Sequence, residues 1–228
     1  MKILSIDTSS KTGSVALVDS GHVIADREYA ADSGHAEALI AEIDKALKRS
    51  KLSLSDIDGI AVAIGPGSFT GLRIGLATAK GLAVSLNKPV VGVSTLLAAA
   101  FNIKIEPGRL AVPCLNAYRQ EVYACCYADG MREVIPELSV SPEGLCDRLE
   151  KLDGSFLFVG DGATVYRDLF SKRLGSRFAV SEQKTAATAT GVALLAWERF
   201  KSNDPDDISR LAPNYIRKSD AEIKIKLK

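Results

Sequence analysis

Apolar and polar residues alternate through residues 2–7, and 14–18 and 22–29 read as two further strands, with polar turns at Thr8-Ser-Ser-Lys-Thr-Gly13 and at Gly21. A period of two marks strands, and connections this short make an antiparallel meander. The period then lengthens. Ala36, Leu39, Ile40, Ile43 and Leu47 recur at helical spacing behind Ser33-Gly-His-Ala-Glu37, which predicts a helix over 36–48. Residues 57–64 read as a buried strand running into the turn Gly65-Pro-Gly-Ser-Phe-Thr-Gly71, and that turn opens a helix over 70–86. A strand at 89–93 and a short helix at 94–101 come next. The order is β-β-β-α-β-α-β-α, and its strand–helix–strand crossovers imply parallel neighbours in one sheet.

Glu106-Pro-Gly108 interrupts the pattern and a second series begins, with strands at 110–115, 121–127 and 132–140. Ser141-Pro142 supplies a cap and a first-turn proline for a helix to about 152. A strand at 155–159, a turn at Gly160-Asp-Gly162, and helices at 164–172 and 190–200 complete the series, followed by the polar linker 203–207. The tail 222–228 alternates apolar and basic residues and reads as a short edge strand or a frayed end. The second half thus begins β-β-β-α-β-α like the first, with one lobe at 1–104 and another at 105–228. This is the layout of an α/β fold of the actin-like ATPase and ribonuclease H-like kind, in which each lobe is built on one such unit. Fold analogy of this kind leaves function open.

Composition narrows the classes. The 228 residues are 46% hydrophobic and 25% charged, as in an ordinary globular protein, and the net charge of +1 sets up no global field for nucleic acid. Met1-Lys2 leads straight into a strand, and Lys80 breaks the longest apolar run, so neither a signal peptide nor a membrane span is expected. Cys114, Cys125, Cys126 and Cys146 form no C-x-x-C pair and read as buried free thiols in a reducing, cytoplasmic setting.

Candidate chemistry is sparse. Asp7, Thr8, Ser9 and Ser10 end the first strand where an actin-like fold could place a metal-bridging carboxylate and phosphate-facing hydroxyls; the other reading is a polar hairpin turn. The corresponding turn of the second half has Asn116 in place of a carboxylate, and a neutral amide is neither a base nor a strong metal ligand. The 65–71 turn lacks the Lys-Ser/Thr ending of a P-loop, which favours a tight packing turn. His22 and His35 stand on different elements with no second histidine at helical spacing, and no Ser-His-Asp or Cys-His set is evident.

The helix over 70–86 carries only Arg73 and Lys80 as charges, seven residues apart and so on one narrow stripe. The rest of its surface is small or apolar, which calls for more than one partner: a deep core or another subunit. Gly71 and Gly75 leave a smooth strip where a second helix could approach.

The motifs together closely resemble the bacterial TsaB (YeaZ) family, the accessory subunit of tRNA threonylcarbamoyladenosine biosynthesis, over essentially the whole chain. They are Ile3-Leu-Ser-Ile-Asp-Thr-Ser-Ser10, Gly34-His-Ala-Glu-Ala-Leu39, the most specific Gly65-Pro-Gly-Ser-Phe-Thr-Gly-Leu-Arg-Ile-Gly75, Pro89-Val-Val-Gly-Val-Ser94, Glu121-Val-Tyr123, Gly160-Asp-Gly-Ala163 and Pro213-Asn-Tyr-Ile-Arg217. One motif departs: Asn116-Ala-Tyr118 stands where the family usually has Asp-Ala-Arg. The catalytic relative TsaD carries His-Met-Glu-Gly-His at the positions of Thr95 to Ala99, and neither Thr95 nor Ala99 can supply its metal-binding imidazoles. The resemblance implies a non-catalytic subunit that requires no cofactor of its own, with ATP and metal on its partners. Those partners are a TsaD-like catalytic subunit and a TsaE-like ATPase, with tRNA reached only through the complex, no membrane, and a homodimer when alone. It also implies an interface on the first lobe's helices, here assigned to His35, Leu39, Ser68, Phe69, Thr70, Leu72, Arg73, Leu76 and Lys80. The rival readings are a stand-alone phosphotransferase or peptidase, and a direct tRNA binder resting on Lys218, Lys224, Lys226 and Lys228.

Overall fold

The structure, a computed structural model, describes residues 1–30, 34–101, 103–182 and 189–217. The tail pattern at 222–228 and the side chain of His35 lie outside this description. The chain divides into two units: Met1–Ala98 with Ala187–Asn214, and Ala99–Ala186 with Tyr215–Lys228.

In the first unit, β1 (Lys2–Asp7), β2 (Thr12–Asp19), β3 (His22–Ala30), β4 (Gly59–Gly65) and β5 (Val90–Ser94) form one sheet in the order β3-β2-β1-β4-β5. The hairpin strands pair antiparallel, Ser5 opposite Ala16, whereas β4 joins β1 in parallel with Ile6 opposite Val62. β4 is parallel to both β1 and β5: α1 (His35–Arg49) leads from the edge strand β3 across to β4, α2 (Phe69–Leu86) bridges β4 and β5, and the short α3 (Thr95–Phe101) leaves the end of β5. Central strand residues are apolar on both sides because both faces of the sheet are covered. Leu4, Ile6, Val15, Ile60 and Val62 pack with Leu39, Ile43 and Leu76 of α1 and α2. Ile3, Val18, Ala61, Ala63, Val91 and Val93 pack with Val192, Ala193 and Ala196 of the helix Ala189–Lys201. Each fully buried Ile or Leu contributes about 1.5–3 kcal/mol.

The second unit repeats the plan. With β6 (Arg109–Asn116), β7 (Val122–Ala128), β8 (Arg132–Val140), β9 (Ser155–Val159) and β10 (Phe178–Val180), the order is β10-β9-β6-β7-β8. Read from the other edge this is the order of the first sheet, with the same antiparallel hairpins and the same parallel β6–β9 and β9–β10 pairs. The duplication read from element order is therefore present in strand pairing as well. Its core joins Phe156, Phe158 and Phe170 with Leu145 and Leu149 of α4 (Pro142–Leu149).

Some expectations change. The helix predicted at 164–172 is two, α5 (Asp161–Val165) and α6 (Arg167–Leu174), and β10 had no alternating signal long enough to read. The last helix, here α7, belongs by chain order to the lobe expected at 105–228, yet it covers the first sheet. Its first residue is anchored there: the Ser14 hydroxyl accepts from the Ala189 N–H at 2.9 Å, and the Ser5 hydroxyl donates to the Ala189 carbonyl at 2.6 Å. The segment after it also stays with the first sheet, the Asp206 N–H donating to Val90 and the Asn214 N–H to Ile64. By contacts, the division between units falls near residue 98 rather than after 104, and 187–214 returns to the first unit.

Candidate functional site

Turn 65–71 is organised by what lies beneath it. Ser68 caps α2, its hydroxyl accepting from the Gly71 N–H at 3.2 Å, and its own N–H donates to the Ser9 carbonyl at 2.6 Å. The Thr8 hydroxyl donates to the Gly71 carbonyl at 2.7 Å. A methyl group on Gly67 would meet the Ser9 carbonyl, one on Gly71 the Thr8 carbonyl, and one on Gly75 the Thr8 hydroxyl. The glycines are thus a seat for the turn after β1. The smooth strip of Gly71 and Gly75, expected to admit a partner helix, is occupied by this chain's own Thr8, its carbonyl against Gly71 and its side chain against Gly75.

The same contacts place the four phosphate candidates. Asp7, Thr8 and Ser9 are buried and Ser10 is half-buried. Asp7 accepts from the Ser9 N–H at 2.8 Å, and Ser10 bonds with the backbone of Thr12. Tyr29 stands over Gly13, and burial together with the charges of Asp7 and Glu42 pushes its hydroxyl pKa up. In the second unit, Asn116 shapes its own turn, its side-chain oxygen accepting from the Tyr118 N–H at 3.0 Å.

Of the interface candidates, Leu39, Leu72 and Leu76 are buried in the first unit's core, so their side chains are covered without any partner. These three positions are corrected: a charge there would disrupt the chain's own packing. Ser68, Thr70 and Arg73 are exposed, Phe69 and Lys80 half-buried, and the Arg73 guanidinium lies 3.8 Å from the centre of the Phe69 ring. His35 begins α1.

The outward face of α2 continues through Ala77, Gly81, Val84 and Ser85. Val84 is 69% exposed, and on α1, which packs alongside, Ile40 is 55% exposed. A side chain at Gly81 would meet nothing within 4 Å. This surface was missed although its signal was present. Arg73 marks the solvent side of the helix, and positions 77, 81 and 84 succeed it at helical spacing. The leucines drew attention by hydrophobicity, which is what buried them.

Thr95 and Ala99, at the positions aligned with the metal ligands of TsaD, are each 1% exposed. Among the described residues no group of three or more His, Cys, Asp or Glu could hold a metal ion, and no helix is long and apolar enough to cross a membrane. All four cysteines are free and buried; burial pushes the thiol of Cys146 up to about 11 and that of Cys126 to about 12.

Two sheets of identical order, each a three-strand meander extended by parallel strands, define a two-lobed α/β protein of the actin-like class. The family model of TsaD, tRNA N6-adenosine threonylcarbamoyltransferase, matches residues 28–225. The tRNA threonylcarbamoyladenosine biosynthesis protein TsaB of Bacillus subtilis is 31% identical, over 98% of this chain and 97% of its own. The Escherichia coli protein of the same name is 32% identical over 95% of each. A crystal structure from Pseudomonas aeruginosa, described as an uncharacterized protein with similarity to peptidase YEAZ, superposes with a TM-score of 0.78 at 26% identity, covering 95% of this chain and 99% of that one. The chain belongs to the TsaD family, and within it to the TsaB (YeaZ) proteins.

Proposed function

We propose that this chain is an accessory subunit of the complex that forms threonylcarbamoyladenosine beside the anticodon of tRNAs, and that it acts by binding a TsaD-like catalytic subunit rather than by chemistry of its own. The observation that carries the reading is the outward face of α2. Between Arg73 and the end of the helix its exposed residues, Ala77, Gly81, Val84 and Ser85, carry no charge, and Ile40 is exposed on α1, the helix that packs against it. A helix face of small and apolar residues around a single half-buried lysine, Lys80, suits close approach by another helix. The same face serves a homodimer when the chain is alone, and a TsaE-like ATPase joins the assembled complex. ATP and metal belong to those partners. The chain's own candidate phosphate turn is packed beneath 65–71, and Thr95 and Ala99 offer no imidazole. Its place is the cytoplasm, with its tRNA substrates.

The test is Val84→Asp, assayed by light scattering with and without a purified TsaD-like subunit. Val84 is mostly exposed, so the variant should melt as the wild type does while its affinity for the partner falls about ten-fold or more, since a charge would be desolvated in the contact. Unchanged assembly would refute the assignment of this face. Turnover of ATP or a peptide by the purified chain alone would refute the accessory role.

A further inference from the structure

Beyond Arg73 the outward face of α2 holds a single charge. Lys80 is half-buried, and Ala77 and Val84, one helical turn to either side of it, are exposed. Among the described residues the Lys80 ammonium has no hydrogen-bond or ion-pair partner. Asp207 is the carboxylate that feels its charge, and it is engaged elsewhere. It accepts from the Ser209 N–H at 2.8 Å and the Ser209 hydroxyl at 2.6 Å, and it pairs with Arg210 at 3.5 Å. The lysine therefore reaches the docking face with its donors open.

A partner that covers Ala77, Gly81 and Val84 also takes water away from Lys80. An ammonium desolvated without a counter-charge opposes association, and one that meets a carboxylate favours it. A second copy of this chain cannot supply that carboxylate. The whole of α2 carries two cations, Arg73 and Lys80, and no aspartate or glutamate. A two-fold axis through Ala77 and Gly81, where the face is smallest, sets this helix against itself and brings Lys80 toward its own copy. The carboxylates of α1 do not compensate. Glu42 is nearly buried and bound by Lys45, and Asp44 is held by Lys48 at 2.7 Å. Glu37 stands in the first turn of α1. The strands that α1 and α2 lead into, β4 and β5, are parallel, so both helices return from the same edge of the sheet. An axis at Ala77 and Gly81 then leaves the copy's Glu37 about two helical turns from Lys80 in either sense of packing.

We propose that Lys80 selects the partner of this face: it pairs with a carboxylate on the docking helix of the catalytic subunit, and it weakens the competing association of two copies of this chain. One surface thus serves both associations with opposite electrostatics. The inference rests on the reading that the α2 face binds a TsaD-like subunit, and adds the chemistry which that subunit presents.

The experiment follows both associations of the full chain by light scattering, self-association alone and binding to a purified TsaD-like subunit, each at low and at high salt. Binding to the catalytic subunit should weaken as salt rises, whereas self-association should tighten as the repulsion is screened. Lys80→Gln keeps a long polar side chain at a half-buried position, so it should melt as the wild type does. It should lose about five-fold or more in affinity for the catalytic subunit, tighten self-association about two-fold or more, and flatten both salt dependences. Lys80→Arg should retain the wild-type order of affinities. Should Lys80→Gln fail to fold, the salt dependences of the wild type and of Lys80→Arg carry the test. Unchanged affinity of Lys80→Gln for the catalytic subunit overturns the proposal. So does an equal fall in both associations, which would make Lys80 a packing contact, and so does heterodimer formation indifferent to salt. If Val84→Asp abolishes assembly while Lys80→Gln changes nothing, selection by Lys80 alone falls. If Val84→Asp also leaves assembly intact, it is the docking face itself that falls.

Discussion

Thr8 and Gly71 are 63 positions apart, and their contact decides how the most specific motif of the chain is used. The glycines of 65–71 read correctly as a tight packing turn, because glycine without the P-loop lysine has no other evident purpose. Their packing partner could not be read, since a long-range backbone approach leaves no local pattern. The outcome is testable at single residues. Gly71→Ala would drive a methyl group into the Thr8 carbonyl, a backbone atom that cannot rotate aside. It should cost about 3 kcal/mol, the upper end for overpacking, in urea unfolding. Gly81, in the same helix, has open space around it, so Gly81→Ala should instead stabilise by up to about 1 kcal/mol through helix propensity. Equal effects at the two sites would show that propensity, and not the seat for Thr8, governs these glycines.

At the scale of elements, existence and order were legible because short, mostly apolar strand runs such as 57–64 and 110–115 are separated by turn residues from segments of helical period. Of the face predicted for α1, Leu39, Ile43 and Leu47 are in the core, whereas Ala36 and Ile40 are exposed. The tie between α1 and its neighbouring strand was not legible. Glu42 is nearly buried, and it accepts from Arg27 of β3 at 2.5 Å and from Lys45 at 2.7 Å. The bond from Lys45, followed by Arg27, holds the Glu42 carboxyl below the usual carboxylate range in spite of its burial. Its folded-state pKa is therefore lower than its unfolded value of about 4.3. The stabilisation is complete above that value and is lost as pH falls through it toward the folded-state pKa. Glu42→Gln should cost about 1.5–3 kcal/mol at neutral pH, the range for hydrogen bonds to charged groups. The difference from wild type should shrink in thermal melts taken from pH 5 down to pH 3. A difference that persisted undiminished at pH 3 would mean that packing at this position matters and the charge does not.

For the whole molecule, chain order and spatial order part company at one helix. Duplication suggested that the protein could be cut between two lobes, each complete in its own half of the sequence. Two equal sheets in equal strand order support the duplication, but the first sheet takes its second covering layer from 189–201. A periodicity argument finds such a helix and its apolar side; it cannot say which of two similar sheets receives it, because both offer an apolar face. A fragment of residues 1–104 would leave Ile3, Val18, Ala61, Ala63, Val91 and Val93 exposed on one side of the sheet, and would lose the strap that pairs Asp206 with Val90 and Asn214 with Ile64. That fragment should melt without a cooperative transition by circular dichroism and should aggregate. Residues 1–98 joined to 187–214 by a glycine–serine linker of about twenty residues, long enough to leave the helix free to dock, should regain a single cooperative transition. Cooperative melting of 1–104 alone, at the temperature of the linked form, would mean that α7 contributes nothing to the first unit's stability.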